Sequence, residues 1–115
     1  MAIDKGLLSG STTTLILKLL EEKDMYGYEM IETLAKKSDH TFDLKAGTLY
    51  PLLHGLEKSG VLQAYEQKAD NDRLRKYYHL TPKGQKLLQE KHREWVAYSA
   101  AVNKVLDGGL SHATV

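Results

Sequence analysis

The chain has 115 residues, of which 42% are hydrophobic and 27% are charged, a balance that suits one globular domain with a small core. It has no cysteine, which excludes disulfides and thiolate chemistry, and no apolar run typical of a signal peptide or membrane span, so we expect a cytoplasmic protein. The formal net charge of +1 does not by itself indicate a nucleic-acid-binding protein, so such a function must rest on local clusters of charge.

The first half of the chain predicts three helices. The segment 11–24 opens with serine and threonine residues suited to an N-cap and continues with leucine and isoleucine at helical spacing. The segment 25–38 predicts a second helix that starts near Gly27. The third helix spans 45–60, where Gly60 suits the left-handed position that follows a helix end.

Pro51 is unusual inside the third helix, because proline lacks an N–H and clashes with the carbonyl four residues back. Either the helix starts late, with Thr48 as N-cap and the proline in its first turn, or it starts near Lys45. Both starts present Thr48, Tyr50 and His54 away from the leucine face, where they can hydrogen-bond a phosphate or a base edge. A capped surface helix that tolerates a proline near its start would show the same pattern.

Beyond the third helix the hydrophobic period changes from that of a helix to that of a strand. The predicted elements are a strand over 61–69, a polar turn over 70–73 and a strand over 74–80. Thr81 and Pro82 suit the N-cap and the first position of a last helix that runs to about Leu106. This order predicts a mainly α fold with a small β-hairpin, an α+β winged helix-turn-helix domain followed by a long C-terminal helix. In such a domain the third helix enters the DNA major groove, and the hairpin, or wing, reaches the flanking backbone.

The predicted hairpin carries a cluster of cations at its turn, followed by two tyrosines. The cations are Arg73, Arg75 and Lys76, and the tyrosines are Tyr77 and Tyr78. Alternation places Arg75 and Tyr77 on one face and Lys76 and Tyr78 on the other, so we expect one tyrosine to pack inward. Cations on a projecting hairpin can bind phosphates, although a solvated hairpin tip has a similar composition.

The last helix carries an apolar pattern of its own. Spacings of four and three connect Leu88, His92, Trp95, Ser99, Val102 and Leu106. This is a coiled-coil-like seam, and other apolar residues lie beside it, so the helix needs a partner besides its own domain. A second copy of the chain is the economical partner. We therefore expect a homodimer whose interface includes Leu88, Trp95, Val102 and Leu106.

Three motifs resemble one protein family. The segments YGYEM, AGTLYPLLHGLEKSG and RKYYHLTPKG, in this order and spacing, resemble the PadR family of bacterial transcriptional regulators, in its compact form with a single C-terminal dimerisation helix. The resemblance covers residues from about 8 to 105. Together with the predicted elements, it divides the chain into a winged-helix domain over 1–80 and a dimerisation helix over 81–107, and the residues after that helix predict a flexible tail over 108–115.

The same resemblance implies a function and a set of DNA contacts. It implies a homodimeric repressor that binds double-stranded DNA, and the twofold symmetry of a dimer predicts a pseudo-palindromic operator. The third helix and the wing would supply the contacts, namely Lys45, Thr48, Tyr50, His54, Arg73, Arg75, Lys76 and Tyr77.

Trp95 has two interpretations. Some compact members of the family bind planar aromatic or drug-like molecules between tryptophans of the two subunits. The resemblance therefore implies a small-molecule effector site at Trp95, with His92 and Ser99 near it. A tryptophan that only anchors the dimer would explain the position as well, because tryptophan is enriched at interfaces.

Other functional classes find less support in the sequence. It contains no Gly-rich phosphate loop, no cysteine nucleophile and no His–Glu metal motif, and its five histidines are scattered, so we expect no enzyme, no metal and no cofactor. The main alternative is a winged-helix module that contacts only other proteins, which the near-neutral charge would permit. Tyr50 and the cations of the hairpin favour DNA over this alternative.

Overall fold

The computed structural model describes residues 4–108, and its first element is α1, Lys5–Glu22. Asp4 caps this helix, because its side chain accepts a hydrogen bond of 2.9 Å from the Gly6 N–H. The predicted start at residue 11 is therefore wrong. The hydroxyl residues predicted as caps lie inside the helix, where Thr12 Oγ1 donates to the Leu8 carbonyl at 2.6 Å. Serine and threonine make such bonds to the preceding turn as readily as they cap.

A short strand that the sequence analysis missed, β1, Met25–Tyr26, precedes α2, Gly27–Lys37. It pairs antiparallel with a later strand, with Met25 opposite Tyr78 and Tyr26 opposite Tyr77. Two residues are too few to show an alternating pattern, so only the neighbouring strand makes this segment extended. The start of α2 at Gly27 agrees with the prediction.

The third helix, α3, spans Ala46–Lys58, so the earlier of its two predicted starts is correct. The Lys45 carbonyl accepts a bond of 2.9 Å from the Leu49 N–H, and Pro51 lies inside the helix. At the other end Gly60 has φ +80°, and the Val61 N–H donates to the Leu56 carbonyl at 3.0 Å. This is the hydrogen bond of a glycine-terminated helix, as predicted.

The remaining elements are the strands β2, Leu62–Lys68, and β3, Leu74–Leu80, and the helix α4, Pro82–Leu106. The sheet has the order β1-β3-β2, so the predicted hairpin forms two strands of a three-stranded antiparallel sheet. The Thr81 side chain accepts a bond of 3.1 Å from the Gly84 N–H, which confirms the predicted cap of α4. Arg75 and Lys76 belong to β3 and not to the turn, whose Asp72 has φ +64°.

The core includes the first turns of α4. Gly84 is buried, and a Cβ atom there would overlap the Val61 carbonyl oxygen and the Leu80 side chain. Leu88, which the sequence places in the dimer seam, is 5% exposed and packs in the core of its own chain. The winged-helix part and the start of α4 thus form one packed unit, and their separation at residue 80 stays a prediction.

Two remaining points concern membrane-spanning helices and the C-terminal tail. Among the described helices, none combines the length and the apolar character that a membrane span requires. The tail predicted over 108–115 lies outside the described residues, apart from Gly108.

Candidate nucleic-acid interface

The outward face of α3 is polar, as the helical spacing of its leucines predicts. Leu49 and Leu53 have no exposed surface, whereas Thr48, Tyr50 and His54 are exposed on the other side of the helix. Helical periodicity explains this division, since residues three and four apart share a face. A hydroxyl, a phenol and an imidazole are therefore accessible to solvent; Tyr50 and His54, four residues apart, share a face, and Thr48 lies further around the helix.

Tyr50 also connects α3 to α2. The far end of its ring lies on Gly27, so closely that a Cβ atom at Gly27 would overlap the Tyr50 hydroxyl. Partial burial raises the pKa of Tyr50 above its ordinary value. Gly27 leaves the space that the Tyr50 ring occupies, a role that the sequence analysis missed. The available signal was a glycine at the first position of a helix, where larger residues are normally tolerated.

The two faces of β3 differ as the alternation predicts. Tyr78 is the inward tyrosine and is 4% exposed. Tyr77 lies on the outer face, where it stacks on Tyr65 with ring centroids 5.7 Å apart and meets the edge of Tyr26 at 5.4 Å. Tyr77 is therefore part of an aromatic cluster on the sheet and is half-buried.

Two of the four predicted DNA-contacting cations are paired with carboxylates. Lys76 Nζ lies 3.2 Å from Glu57 Oε1 of α3, and Lys45 Nζ lies 2.7 Å from Asp43 Oδ2. The hydrogen bond to Glu57 raises the pKa of Lys76. Among residues 4–108, no carboxylate forms a salt bridge with the two arginines, Arg73 and Arg75. The arginines are the cations with charge available for a phosphate, and the Lys76–Glu57 pair joins the wing to α3.

Trp95 lies in a groove between α1 and α4. The groove has a volume of about 470 Å³ and is lined by apolar side chains that include Leu7, Phe42 and Tyr98. Trp95 itself is 51% exposed, and its ring centroid lies 6.4 Å from that of Tyr98. An aromatic surface is thus accessible here within a single chain.

The other residues predicted for an effector lie elsewhere on α4. His92 lines a separate surface depression that includes Val96, and Ser99 Oγ donates to the Val96 carbonyl at 3.2 Å. Neither residue lines the groove of Trp95. Of the seam residues, Val102 is half-buried and Leu106 is 74% exposed. In the part of the chain that the structure describes, no group of three or more His, Asp or Glu residues could hold a metal ion.

Three helices, a three-stranded sheet and a hairpin that an ion pair joins to the third helix define the winged helix-turn-helix class of DNA-binding proteins. Residues 16–90 match the model of the transcriptional regulator PadR-like family. The chain therefore belongs to the PadR-like family of transcriptional regulators, which confirms the predicted family and the predicted fold class.

Similar proteins agree with this assignment. A transcriptional regulator of Mycobacterium tuberculosis is 35% identical over 97 residues, which cover 84% of this chain and 83% of the relative. The structure of a transcriptional regulator from Clostridium thermocellum has a TM-score of 0.80 and 35% identity, and the match covers 87% of this chain and 97% of the other. That of a PadR-like transcriptional regulator from Bacillus cereus has a TM-score of 0.78 and 32% identity, covering 89% and 97%.

Proposed function

We propose that the protein is a homodimeric repressor that binds a pseudo-palindromic DNA operator through α3 and the wing. The observation that carries the proposal is the position of the wing. The wing lies beside α3, because Lys76 of β3 pairs with Glu57 of α3, in a chain that belongs to a family of transcriptional regulators. A major-groove helix flanked by phosphate contacts is the arrangement that winged-helix proteins use.

Within this proposal the residues divide into two groups. Thr48, Tyr50 and His54 face the major groove, where a hydroxyl, a phenol and an imidazole can contact base edges. Lys45 and the wing cations contact phosphates, which position the protein without reading sequence. Tyr77 supports the interface indirectly, because it packs on the same outer face of the sheet as Arg75.

Dimerisation follows from the distal half of α4. Its exposed apolar side chains include Val96, Tyr98, Val105 and Leu106, between 54% and 83% exposed in one chain. An apolar surface of this kind marks an interaction site in a soluble domain, and a second copy of the same helix is complementary to it. Two recognition helices related by a twofold axis would read half-sites about one turn of DNA apart.

A small-molecule effector is a second, separate part of the proposal, and the groove at Trp95 supports it. Its volume of about 470 Å³ lies within the range of ligand sites, and its aromatic lining suits a planar compound. Titration with planar dyes, followed through the fluorescence of the only tryptophan, tests binding. Saturable quenching supports the groove, and calorimetry with Trp95→Ala shows whether the affinity depends on this ring. If no planar compound perturbs Trp95, the tryptophan is a dimer anchor alone.

The experiment that tests DNA binding is a gel-shift scan with DNA from upstream of the protein's own gene, repeated over a range of salt concentrations. Arg75→Ala and Lys76→Ala should each weaken binding to all sequences and reduce the salt slope by up to about one unit. Lys18→Ala is the matched control, since Lys18 is also an exposed lysine paired with a carboxylate but lies on α1. If neither wing substitution changes affinity or slope, the hairpin does not contact DNA, and a module for protein contacts becomes the better explanation.

A further inference from the structure

Three tyrosines form a continuous row across the outer face of the sheet. Tyr65 of β2 stacks on Tyr77 of β3 with an angle of 15° between the ring planes, and Tyr77 meets Tyr26 of β1 edge to face at 75°. Asp24 anchors the far end of this aromatic row, because its carboxylate accepts a bond of 2.7 Å from the Tyr65 hydroxyl. The bond raises the pKa of Tyr65 to about 12. The row is therefore fixed at one end by a charge-assisted hydrogen bond.

Arg75 lies at the other end of the aromatic row. Its guanidinium carbon is 5.1 Å from the centroid of the Tyr26 ring, a distance typical of a cation–π contact. Its Nε atom is enclosed and has no hydrogen-bond partner in the described chain, so ring contact and not hydrogen bonding holds the side chain. Lys76, the next residue, extends to the opposite face and pairs with Glu57. Arg75 is therefore a wing cation with a defined position and no carboxylate partner.

Arg75 lies where the wing meets the start of α2, beside the point at which α3 contacts α2. Tyr26, whose ring the guanidinium contacts, directly precedes Gly27 at the start of α2. Tyr50 in turn lies against Gly27, the first residue of α2. A phosphate that approached this junction would meet a guanidinium that is already in place.

We propose that Tyr26 is a positioning residue for DNA binding: its ring fixes the Arg75 guanidinium at the junction of the wing, α2 and α3, where it contacts one DNA phosphate. This inference rests on the proposed function and adds a residue that does not itself need to touch DNA. The physical reason is that a free arginine loses considerable rotamer freedom when it binds, whereas a guanidinium already held on a ring loses less. Tyr26 should therefore raise affinity without supplying charge.

The test measures binding of the full-length protein to random-sequence duplex DNA, with and without Arg75. Tyr26→Leu removes the ring and should weaken binding about two- to fivefold, the range of a partly exposed cation–π contact. In an Arg75→Ala background the same substitution should have no further effect. In a Lys76→Ala background it should still weaken binding, because Lys76 does not lie on Tyr26. Tyr65→Phe, which keeps the ring and loses only its bond to Asp24, should bind DNA like the parent protein.

The outcomes separate this proposal from the proposed function. If Arg75→Ala weakens binding but folded Tyr26→Leu binds like the parent, Tyr26 does not position Arg75, and the wing contact stands. If Tyr26→Leu weakens binding equally with and without Arg75, its effect is structural and the inference is overturned. If Arg75→Ala itself has no effect, the phosphate contact and the inference both fail. Should Tyr26→Leu not fold, Tyr26→Phe and Tyr26→Trp decide: their affinities should differ, with tryptophan the higher, only while Arg75 is present.

Discussion

The winged-helix part of the chain and the distal half of α4 differ in how much of their apolar side chains they bury. In the first, Ile16, Met30 and Leu53 have no exposed surface, and the core extends into the first turns of α4. In the second, Val105 is 83% exposed and Leu106 is 74% exposed. Burial of apolar surface is the main favourable contribution to folding, so the first part has its stabilising partners within one chain and the second does not. The difference is the reason why we propose that the distal half of α4 packs against a second chain.

The largest effect should come from charges placed on the distal half of α4. Val102→Glu combined with Leu106→Glu would put four carboxylates into the proposed interface of a dimer, where burying an unpaired charge is very unfavourable. We expect the parent protein to sediment near twice 13.0 kDa and the double variant near 13.0 kDa, with unchanged helical circular dichroism. A parent protein that is monomeric at micromolar concentration would contradict the proposed interface. A double variant that unfolds would show that the distal half of α4 also supports the winged-helix core.

Local features of the fold could be predicted from the sequence, and contacts between distant segments could not. The cap at Thr81 and the end of α3 at Gly60 depend on a few adjacent residues, so their chemistry is visible in the sequence. The inward leucines of α3 follow from helical spacing alone. By contrast, Met25–Tyr26 is a strand only because β3 lies beside it.

The candidate site shows the same limit. The exposure of Thr48 and His54 and the separation of Arg75 from Lys76 were predictable from the period of each element. The pairing of Lys76 with Glu57 joins residues 19 positions apart, and no local pattern indicates it. The contact of Arg75 with Tyr26 likewise depends on how β1 meets β3. Which cations have charge available for DNA is therefore a property of tertiary structure.

The second prediction tests how tightly the hairpin is joined to the first turn of α4. Gly84→Ala should lower the free energy of unfolding by about 1–3 kcal/mol, because the added methyl group would overlap the Val61 carbonyl and neither backbone can easily move. Gly55→Ala in α3 is the matched control: nothing lies within 4 Å of its Cβ position, so alanine should stabilise by about 0.5–1 kcal/mol. Urea denaturation of both variants measures the difference. Equal stabilities would show that α4 is less tightly joined to the hairpin than this packing implies.

A third prediction asks whether the winged-helix surface acts independently of α4. Glu57→Gln removes the carboxylate that pairs with Lys76, so it should strengthen non-specific DNA binding about two- to tenfold and increase the salt slope by up to about one unit. The same change in the monomeric Val102→Glu, Leu106→Glu background should give a similar ratio of affinities. Glu21→Gln, which releases Lys18 on α1, is the control and should leave DNA binding unchanged. If Glu57→Gln weakens binding instead, the ion pair holds Lys76 in the position that contacts DNA.

The smallest effect concerns the hydrogen-bond network of Asp24 within the winged-helix part. Burial alone would raise the pKa of Asp24, but the bonds from Tyr65 and from His79 Nδ1, at 2.7 and 2.8 Å, lower it below its ordinary value of 3.8. A lowered folded-state pKa means that this network stabilises the fold above that value and that the contribution is lost as the pH falls through the folded-state pKa. Because the side chains of Asp24 and His79 are partly exposed, Asp24→Asn should lower the free energy of unfolding by at most about 1 kcal/mol at neutral pH.

Asp24→Asn should also change the ionisation of Tyr65 at high pH, which is easier to measure than its small effect on stability. The pKa of Tyr65 is raised to about 12, so its contribution to stability is complete below the ordinary tyrosine value of 10.0 and declines as the pH rises towards 12. Asp24→Asn removes the negative charge beside the phenol, so one tyrosine should ionise earlier in an absorbance titration, while Tyr65→Phe should remove the late-ionising tyrosine from the curve. Neither change should alter the association state, because Tyr65 lies on β2 and Asp24 directly precedes β1, so neither residue is on α4. If either substitution changed the oligomer, the winged-helix part and the distal half of α4 would be coupled, and their contrasting exposure would not reflect two independent units.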